Sequence, residues 1–260
     1  MELVIQQVLK HRQLQPRLGT RKLLLLLQDF TRNHGIKLGR DALFNVLAEH
    51  GLLIRKRKRK VQTTFSKHWL KKYPNLIKGM TPNRPNLLWV SDITYIEAEN
   101  EFSYLSLITD AYSQKIMGFY LSRTLEATGC IQALKMALSD CVDTQGLMHH
   151  SDRGVQYCSK NYVEMLLSKN IKISMTENGD PLENAIAEWV NGILKDELLK
   201  EKYDSFENAQ KSVAVAVSVY NTLRPHTSCD MLTPDKAHQK NGGLKRHWKN
   251  YCKKEVAMKE

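Results

Sequence analysis

The spacing of apolar residues divides the chain near residue 87 into a helical part and a part that contains strands. In residues 1–54, apolar side chains recur three and four positions apart, which predicts a helix capped by Thr20 and a second helix over residues 40–50 that Gly51 ends. A turn at residues 33–35 separates the two helices. We expect a small all-helical domain over residues 1–54, and both a DNA-binding helix-turn-helix and a plain helical bundle fit its pattern.

Strand-like runs begin at residue 88. Three of them are short, rich in aliphatic and aromatic residues, and separated by turn-forming residues, which predicts an antiparallel meander over residues 88–97, 102–109 and 115–121. Two further strands are predicted over residues 147–151 and 171–175, and helices over residues 125–140, 160–169, 182–199 and 205–220. This alternation predicts an α/β core over residues 85–240, in which helices flank a mixed five-stranded sheet.

A run of six cations separates the two parts and consists of Arg55, Lys56, Arg57, Lys58, Arg59 and Lys60. Such a run repels itself too strongly to fold alone. We interpret residues 55–84 as a basic linker that lies along a phosphate backbone, with a solvated charged segment as the alternative. Residues 241–260 form a second basic segment, a C-terminal tail.

The overall charge supports a polyanionic partner. The chain has 39 lysines and arginines against 27 acids, a net charge of +12, and nucleic acid is the first partner that such a surface indicates. Five cysteines without a Cys-x-x-Cys pair argue against a disulfide framework and a zinc knuckle, and indicate reduced thiols in a cytoplasmic protein. The apolar stretches are too short to cross a membrane.

Two aspartates stand where a sheet presents ligands. Asp92 lies in the middle of the first apolar strand, where a carboxylate is costly unless a cation or an arginine compensates its charge. Asp152 follows the fourth strand, and acids at the carboxyl ends of strands in α/β sheets face the crevice that binds ligands.

A third acid, Glu188, lies on the helix after the last strand. Helical spacing puts it on one face with Asn184, Gly192 and Lys195. This face is suited to a phosphate backbone beside a metal, although an ordinary solvent-facing helix has the same pattern. If the three acids converge, their hard oxygen ligands select Mg²⁺ or Mn²⁺ over Zn²⁺. Two such ions, roughly 3.5–4 Å apart, support phosphodiester cleavage and transfer.

Other polar residues compete for these roles. Asp110 and Asp180 occupy predicted turns, and turn chemistry accounts for both. His149 and His150 can assist proton transfer, but a histidine beside a strand end is more often a structural hydrogen-bonding residue.

The order of these motifs resembles a known family. Thirty-five residues separate Asp152 from Glu188, a spacing typical of DDE transposases and retroviral integrases. The chain is most similar to the catalytic protein of the IS-three family of bacterial insertion sequences over about residues 85–237. The segments that carry the resemblance are WVSDITYI (89–96), HSDRGVQY (150–157), NAIAE (184–188) with Leu194 and Lys195, and the closing YN (220–221), RPH (224–226) and TP (233–234).

The resemblance implies a ribonuclease-H-like core whose catalytic and metal-binding residues are Asp92, Asp152 and Glu188. It further implies two Mg²⁺ ions, for which Mn²⁺ can substitute, and DNA contacts by Lys195 and Asn184. The implied activity is cleavage and strand transfer of DNA during transposition. A ribonuclease-H-like nuclease that does not join strands, and a non-catalytic DNA-binding protein derived from a transposase, remain alternatives.

The resemblance also implies partners. These are DNA, as transposon ends and as target, further copies of the chain assembled on that DNA, and a helix-turn-helix protein encoded in an upstream frame. Two departures from the family pattern stand near Glu188. Residues 179–183 lack the usual aromatic and aspartate, and Trp189 differs from the residue expected at its position.

Neutralising all six cations of residues 55–60 should weaken binding to every DNA sequence alike. Each lost phosphate contact should reduce the slope of log affinity against log salt concentration by roughly 0.9 on duplex DNA. Titration of the full chain and the neutralised variant across a salt series measures both effects. An unchanged slope would mean that these cations face solvent.

Overall fold

A computed structural model describes residues 1–54, 68–177, 184–245 and 247 of the chain. The cation run at residues 55–60, Asp180 and most of the basic tail lie outside the described residues. In the described part of the chain every helix is too short or too polar to cross a membrane.

The N-terminal part is helical, as predicted. Its helices are α1 (Glu2–Leu14), α2 (Thr20–Leu26), α3 (Gln28–Asn33) and α4 (Arg40–Glu49). The predicted cap at Thr20 is wrong, because Thr20 is the first helical residue and Gly19 precedes it in an extended conformation. The stop at Gly51 is confirmed by its φ of +65°, a left-handed conformation that suits glycine. A separate hydrophobic cluster, which includes Val8, Leu23 and Leu43, holds the four helices together.

A mixed sheet forms the core, and this prediction is confirmed. Its strands are β1 (Leu88–Ala98), β2 (Glu101–Asp110), β3 (Ile116–Ser122), β4 (Met148–Ser151) and β5 (Lys172–Met175). Their order is β3-β2-β1-β4-β5, with antiparallel pairs up to β1 and parallel pairs from β1 onward. A two-residue strand, β6 (Lys202–Tyr203), adds to the far end of β1.

Two tight turns set the register of the meander. Glu99 and Asn100 both have positive φ values, 57° and 63°, between β1 and β2. At the next turn, the Asp110 carboxylate accepts hydrogen bonds from the Ser113 N–H and hydroxyl and from the Asn86 N–H. These contacts confirm that Asp110 is a turn residue.

Helices cover both faces of the sheet. They are α5 (Ala127–Ser139), α6 (Lys160–Ser168), α7 (Ala185–Ile193), α8 (Phe206–Thr222) and α9 (Pro234–His238). One hydrophobic cluster joins α7 and α8 to the meander, and another joins α5 and α6 to the opposite face. At Gly118 of β3, α5 comes so close that a Cβ atom would lie 2.1 Å from the Ala133 carbonyl oxygen.

The helix predicted over residues 182–199 differs from the structure. α7 ends at Ile193, and Leu194–Leu198 continues it as a π-helical segment. Side chains on this segment are held from different directions, because Lys195 contacts Thr94 whereas Glu197 contacts Arg224. We attribute the wider turn to these tertiary contacts, which sequence periodicity does not reveal.

Residues 68–80, which the sequence assigns to a linker, pack on the core. Leu70 and Tyr73 contact the cluster under α5 and α6. The Pro74 carbonyl accepts a hydrogen bond from the Met175 N–H, and the Leu76 N–H donates to Ser174. This segment therefore borders the end of β5, close to the loop that carries Asp152.

Candidate active site

Asp92 is buried in β1, with 7% of its surface exposed. Its Oδ1 accepts a hydrogen bond of 2.9 Å from the Ile93 N–H, and its Oδ2 accepts one of 2.7 Å from the Asn191 amide. Both donors are neutral. They fix the carboxylate in place, but they do not supply the positive charge that a buried anion requires.

Parallel pairing of β1 with β4 brings Asp152 to the same place. Val90 is aligned with His150, so the two chains reach Asp92 and Asp152 at the same level of the sheet. Asp152 Oδ1 accepts a hydrogen bond of 2.9 Å from the Gly154 N–H. A Cβ atom at Gly154 would itself lie 2.9 Å from that oxygen, so glycine allows the loop to fold against the carboxylate.

The two carboxylates repel each other. Burial raises the pKa of Asp92 to about 7, and the charge of Asp152 raises it further, with a smaller contribution from Glu188. Burial also raises the pKa of Asp152. Among the described residues, no lysine or arginine forms an ion pair with Asp92 or Asp152. A divalent cation would supply the missing positive charge, and carboxylate oxygens are ligands that Mg²⁺ prefers.

One face of α7 and of the π-helical segment runs along β1. Asn184 donates a hydrogen bond to the Ser91 carbonyl at 3.0 Å, and Lys195 Nζ donates one to Thr94 Oγ1 at 3.1 Å. Asn191 lies between them and binds Asp92. The face that was expected to meet DNA is therefore turned toward the strand that carries the first acid. Asn184 is buried and its amide is engaged, so we leave it out of the proposed DNA contacts.

Glu188 lies in the first turn of α7, between Asn184 and Asn191, and its side chain is exposed. Its charge reaches Asp92, as the raised pKa of Asp92 reflects. The described residues nevertheless contain no group of three or more acidic, histidine or cysteine side chains arranged to hold a metal ion. The structure brings Asp92 and Asp152 together and leaves Glu188 at the rim. Residues 178–183, which precede α7, lie outside the described residues.

Sequence reasoning missed two neighbours of the acids. Asn191 holds Asp92, and its position three residues after Glu188 on one helix face is the only sequence signal that could have identified it. His68 donates from Nε2 to the Arg153 carbonyl at 2.7 Å, and its charge partly offsets the raised pKa of Asp152. No sequence signal pointed to His68, because 85 positions separate it from Arg153.

The two histidines of β4 have structural roles. His149 Nε2 lies 2.7 Å from Ser91 Oγ and 2.9 Å from Tyr162 OH, and burial lowers the pKa of His149 to about 3, so its ring is neutral. His150 is buried against Ser174. The structural interpretation is therefore the one that the contacts support.

Known proteins share this arrangement. Two family models of an integrase core domain match residues 82–181 and 169–234. The 31 kDa protein of insertion element IS600 from Shigella sonnei is 34% identical over 85% of this chain and 82% of its own length. The transposase InsF of insertion sequence IS3A from Escherichia coli K12 is 29% identical over 83% of this chain and 76% of its own length.

The fold also has a solved counterpart. A chain in the cryo-EM structure of the simian T-cell lymphotropic virus intasome, in complex with the PP2A regulatory subunit B56 gamma, matches with a TM-score of 0.52 and 20% identity. The match covers 86% of this chain and 71% of that chain. At this level of identity, the likeness concerns the fold, which is the ribonuclease-H-like sheet flanked by helices that the sequence predicts.

Replacing Asp92 with asparagine should stabilise the metal-free protein. The folded-state pKa of Asp92 is raised to about 7, so its ionised form opposes folding, increasingly as the pH rises through this range and fully above pH 7. We expect a gain of a few kcal/mol at pH 8 and a smaller one at pH 5, since each pKa unit corresponds to about 1.4 kcal/mol. Urea denaturation at both pH values measures it.

The new amide can be accommodated, because Asn191 Oδ1 is buried without a hydrogen-bond partner and can accept from it after the Asn191 amide rotates. Asp110→Asn is the matched control. Asp110 is equally buried but accepts hydrogen bonds from N–H donors at both oxygens, so its amide variant should be destabilised. Mg²⁺ should raise the melting temperature of the wild type and not that of Asp92→Asn. Equal destabilisation of both variants would show that Asp92 is a structural residue.

Proposed function

This chain belongs to the IS-three family of insertion-sequence transposases, and we propose that it cuts and joins DNA strands in transposition by metal-dependent phosphoryl transfer. One observation carries the proposal. Two buried carboxylates, Asp92 and Asp152, meet with raised pKa values and, among the described residues, without a cationic partner. A protein maintains such a repulsive pair at a cost, and binding of a cation is the function that offsets it.

We propose that Asp92, Asp152 and Glu188 hold the metal ions, two Mg²⁺ with Mn²⁺ as a substitute. Bound there, the ions would activate an attacking water or 3′-hydroxyl and stabilise the leaving oxygen. Asn191 and the Gly154 N–H keep the two aspartates oriented before a metal arrives. Glu188 is exposed at the rim, and we propose that it closes on the site when DNA and metal bind.

DNA contacts are proposed on the same side of the site. Lys195 is hydrogen-bonded to Thr94, two residues beyond Asp92 in β1, and its ammonium can hold a phosphate next to the carboxylates as a point charge. Trp189 follows Glu188 directly and 55% of its surface is exposed, so its ring is available to stack on a base. We propose that the cations of residues 55–60 bind the DNA backbone further away.

Assembly is part of the proposal. Integrase-type transposases join two DNA ends, so we propose that several copies of the chain act together on one DNA complex. A helix-turn-helix partner encoded in an upstream frame stays a prediction from the family resemblance.

Asp152→Asn and Glu188→Gln should each abolish cleavage and joining while leaving DNA affinity nearly unchanged. Loss of a supporting residue alone lowers metal affinity by about 10–100-fold, so loss of a ligand should reduce joining by roughly two orders of magnitude or more. Joining of a pre-cut transposon end to target DNA, with a gel-shift assay on the same DNA, measures the two properties separately.

Asp204→Asn is the control, since Asp204 is an exposed carboxylate in the same region of the chain and its loss should have no effect. Cleavage without joining by the wild type would identify a nuclease instead of a transposase. Binding without either reaction would identify a non-catalytic DNA-binding protein. Appreciable joining by Asp152→Asn in Mg²⁺ would refute the assignment of the acids.

Lys195→Ala should weaken use of the transposon end and spare the metal site. We expect a higher apparent KM for the end, because one phosphate contact is lost, and an unchanged Mg²⁺ dependence. Thr94→Val keeps the charge and removes only the hydroxyl that Lys195 binds, so its effect should be smaller. Lys200→Ala is the charge control, since Lys200 is exposed beyond the π-helical segment. Equal joining by Lys195→Ala and Lys200→Ala at low and moderate salt would place the DNA end elsewhere.

A further inference from the structure

Glu197, in the π-helical segment, connects the helical domain to the core. Its carboxylate accepts two hydrogen bonds from Arg224, from Nε at 2.8 Å and from Nη2 at 2.9 Å. Lys22 of α2 donates to the same carboxylate at 3.0 Å. The backbone N–H of Arg17, just before α2, donates to the Glu197 carbonyl at 3.2 Å. One residue is thus held from the core on one side and from the helical domain on the other.

The two halves of this contact differ in strength. Arg224 is 2% exposed and binds in a bidentate manner, so removing Glu197 would leave a buried guanidinium without its partner. Lys22 is more accessible, with 13% of its side chain exposed. Its removal leaves the Glu197–Arg224 pair intact. The contact between domains can therefore be broken without disturbing the core.

Little else in the described part of the chain fastens the two domains. The hydrophobic cluster of α1 to α4 is separate from the clusters of the core. Leu14 and Leu26 from the helical domain and Leu223 at the end of α8 line a groove between the two parts, where apolar packing is incomplete. The polar contact at Glu197 therefore has a large share in fixing the helical domain on the core.

Glu197 is also continuous with the candidate catalytic helix. It lies nine residues beyond Glu188 in one uninterrupted run of α-helix and π-helix. π-Helical turns frequently occur at functional sites. A displacement of Glu197 is transmitted through this rigid run to the rim of the acidic site, where Glu188 is exposed and able to move.

We propose that Glu197 is a positioning residue through which the helical domain, once it holds DNA, sets the position of Glu188 in the active site. The proposal rests on the transposase function proposed above. The helical domain pulls on the end of the catalytic helix through Lys22 and the Arg17 backbone, and Arg224 is the fixed point about which the segment is held. DNA binding at one end of the molecule thereby favours closure of the third acid at the other.

The test compares Lys22→Met with Arg21→Met in the full chain. Both remove one cation from α2, but Arg21 is exposed whereas Lys22 binds Glu197. Lys22→Met should lower the joining rate at saturating DNA by roughly threefold to thirtyfold, with no greater loss of DNA affinity than in Arg21→Met. Lys22→Arg should restore the rate, since a guanidinium can still pair with the carboxylate.

Hydrogen exchange gives a second readout that does not depend on activity. DNA should slow amide exchange in residues 185–198 of the wild type and of Arg21→Met, and it should do so much less in Lys22→Met. If the wild type fails to join DNA but shows this Lys22-dependent protection, the coupling stands and the transposase function falls. If the wild type joins DNA and Lys22→Met matches Arg21→Met in both rate and exchange, the coupling is refuted.

A pH profile separates this role from a purely structural one. Burial, and then the charge of Arg224, lower the pKa of Lys22 to about 8, although Glu197 opposes the shift. The other titratable group in this cluster, His226, is neutral because burial lowers its pKa to about 3. The ion pair of Lys22 is therefore present below about pH 8 and lost above it. The joining rate of the wild type relative to Lys22→Arg should fall above pH 8, and a constant ratio would contradict the proposal.

Discussion

The repulsion between two buried carboxylates is the constraint on which the rest of the core depends. Asp92 and Asp152 meet because β1 and β4 are parallel neighbours, and the protein holds them there with neutral donors, the Asn191 amide and the Gly154 N–H. Neutral hydrogen bonds fix the orientation of an anion without cancelling its charge. The free energy released when a cation binds is thereby kept available, at the expense of stability in the metal-free protein.

The contacts of α7 follow from the same constraint. The helix lies against β1 through Asn184, Asn191 and Lys195, so the strand with the first acid and the helix with the third are joined along their length. Glu188 alone on this face remains exposed. The helix is thus anchored at both ends of its contact with the sheet, while the one side chain that must move is left outside the packed region.

Local patterns predicted most of the fold. The apolar runs and the turns at Asn100 and Asp110 gave the meander, and the apolar neighbours of Asp92 marked it as a costly charge. Helical spacing put Glu188, Asn184 and Lys195 on one face, but it could not tell which neighbour that face meets, because their partners in β1 lie more than 90 positions away. The π-helical segment, and the approach of His68 to the Asp152 loop, depend on similarly distant contacts.

Sheet topology has a consequence for the order of folding. β1, β2 and β3 pair across short turns, whereas β1 pairs with β4 only after α5 and some fifty residues of intervening chain. Pairs between sequence-distant strands pay a larger loop-closure entropy and form later. The meander can therefore form while the second aspartate is still far from the first. A chain caught halfway through folding already has its cations and can adhere to DNA, but it has no paired acids with which to damage the genome that encodes it.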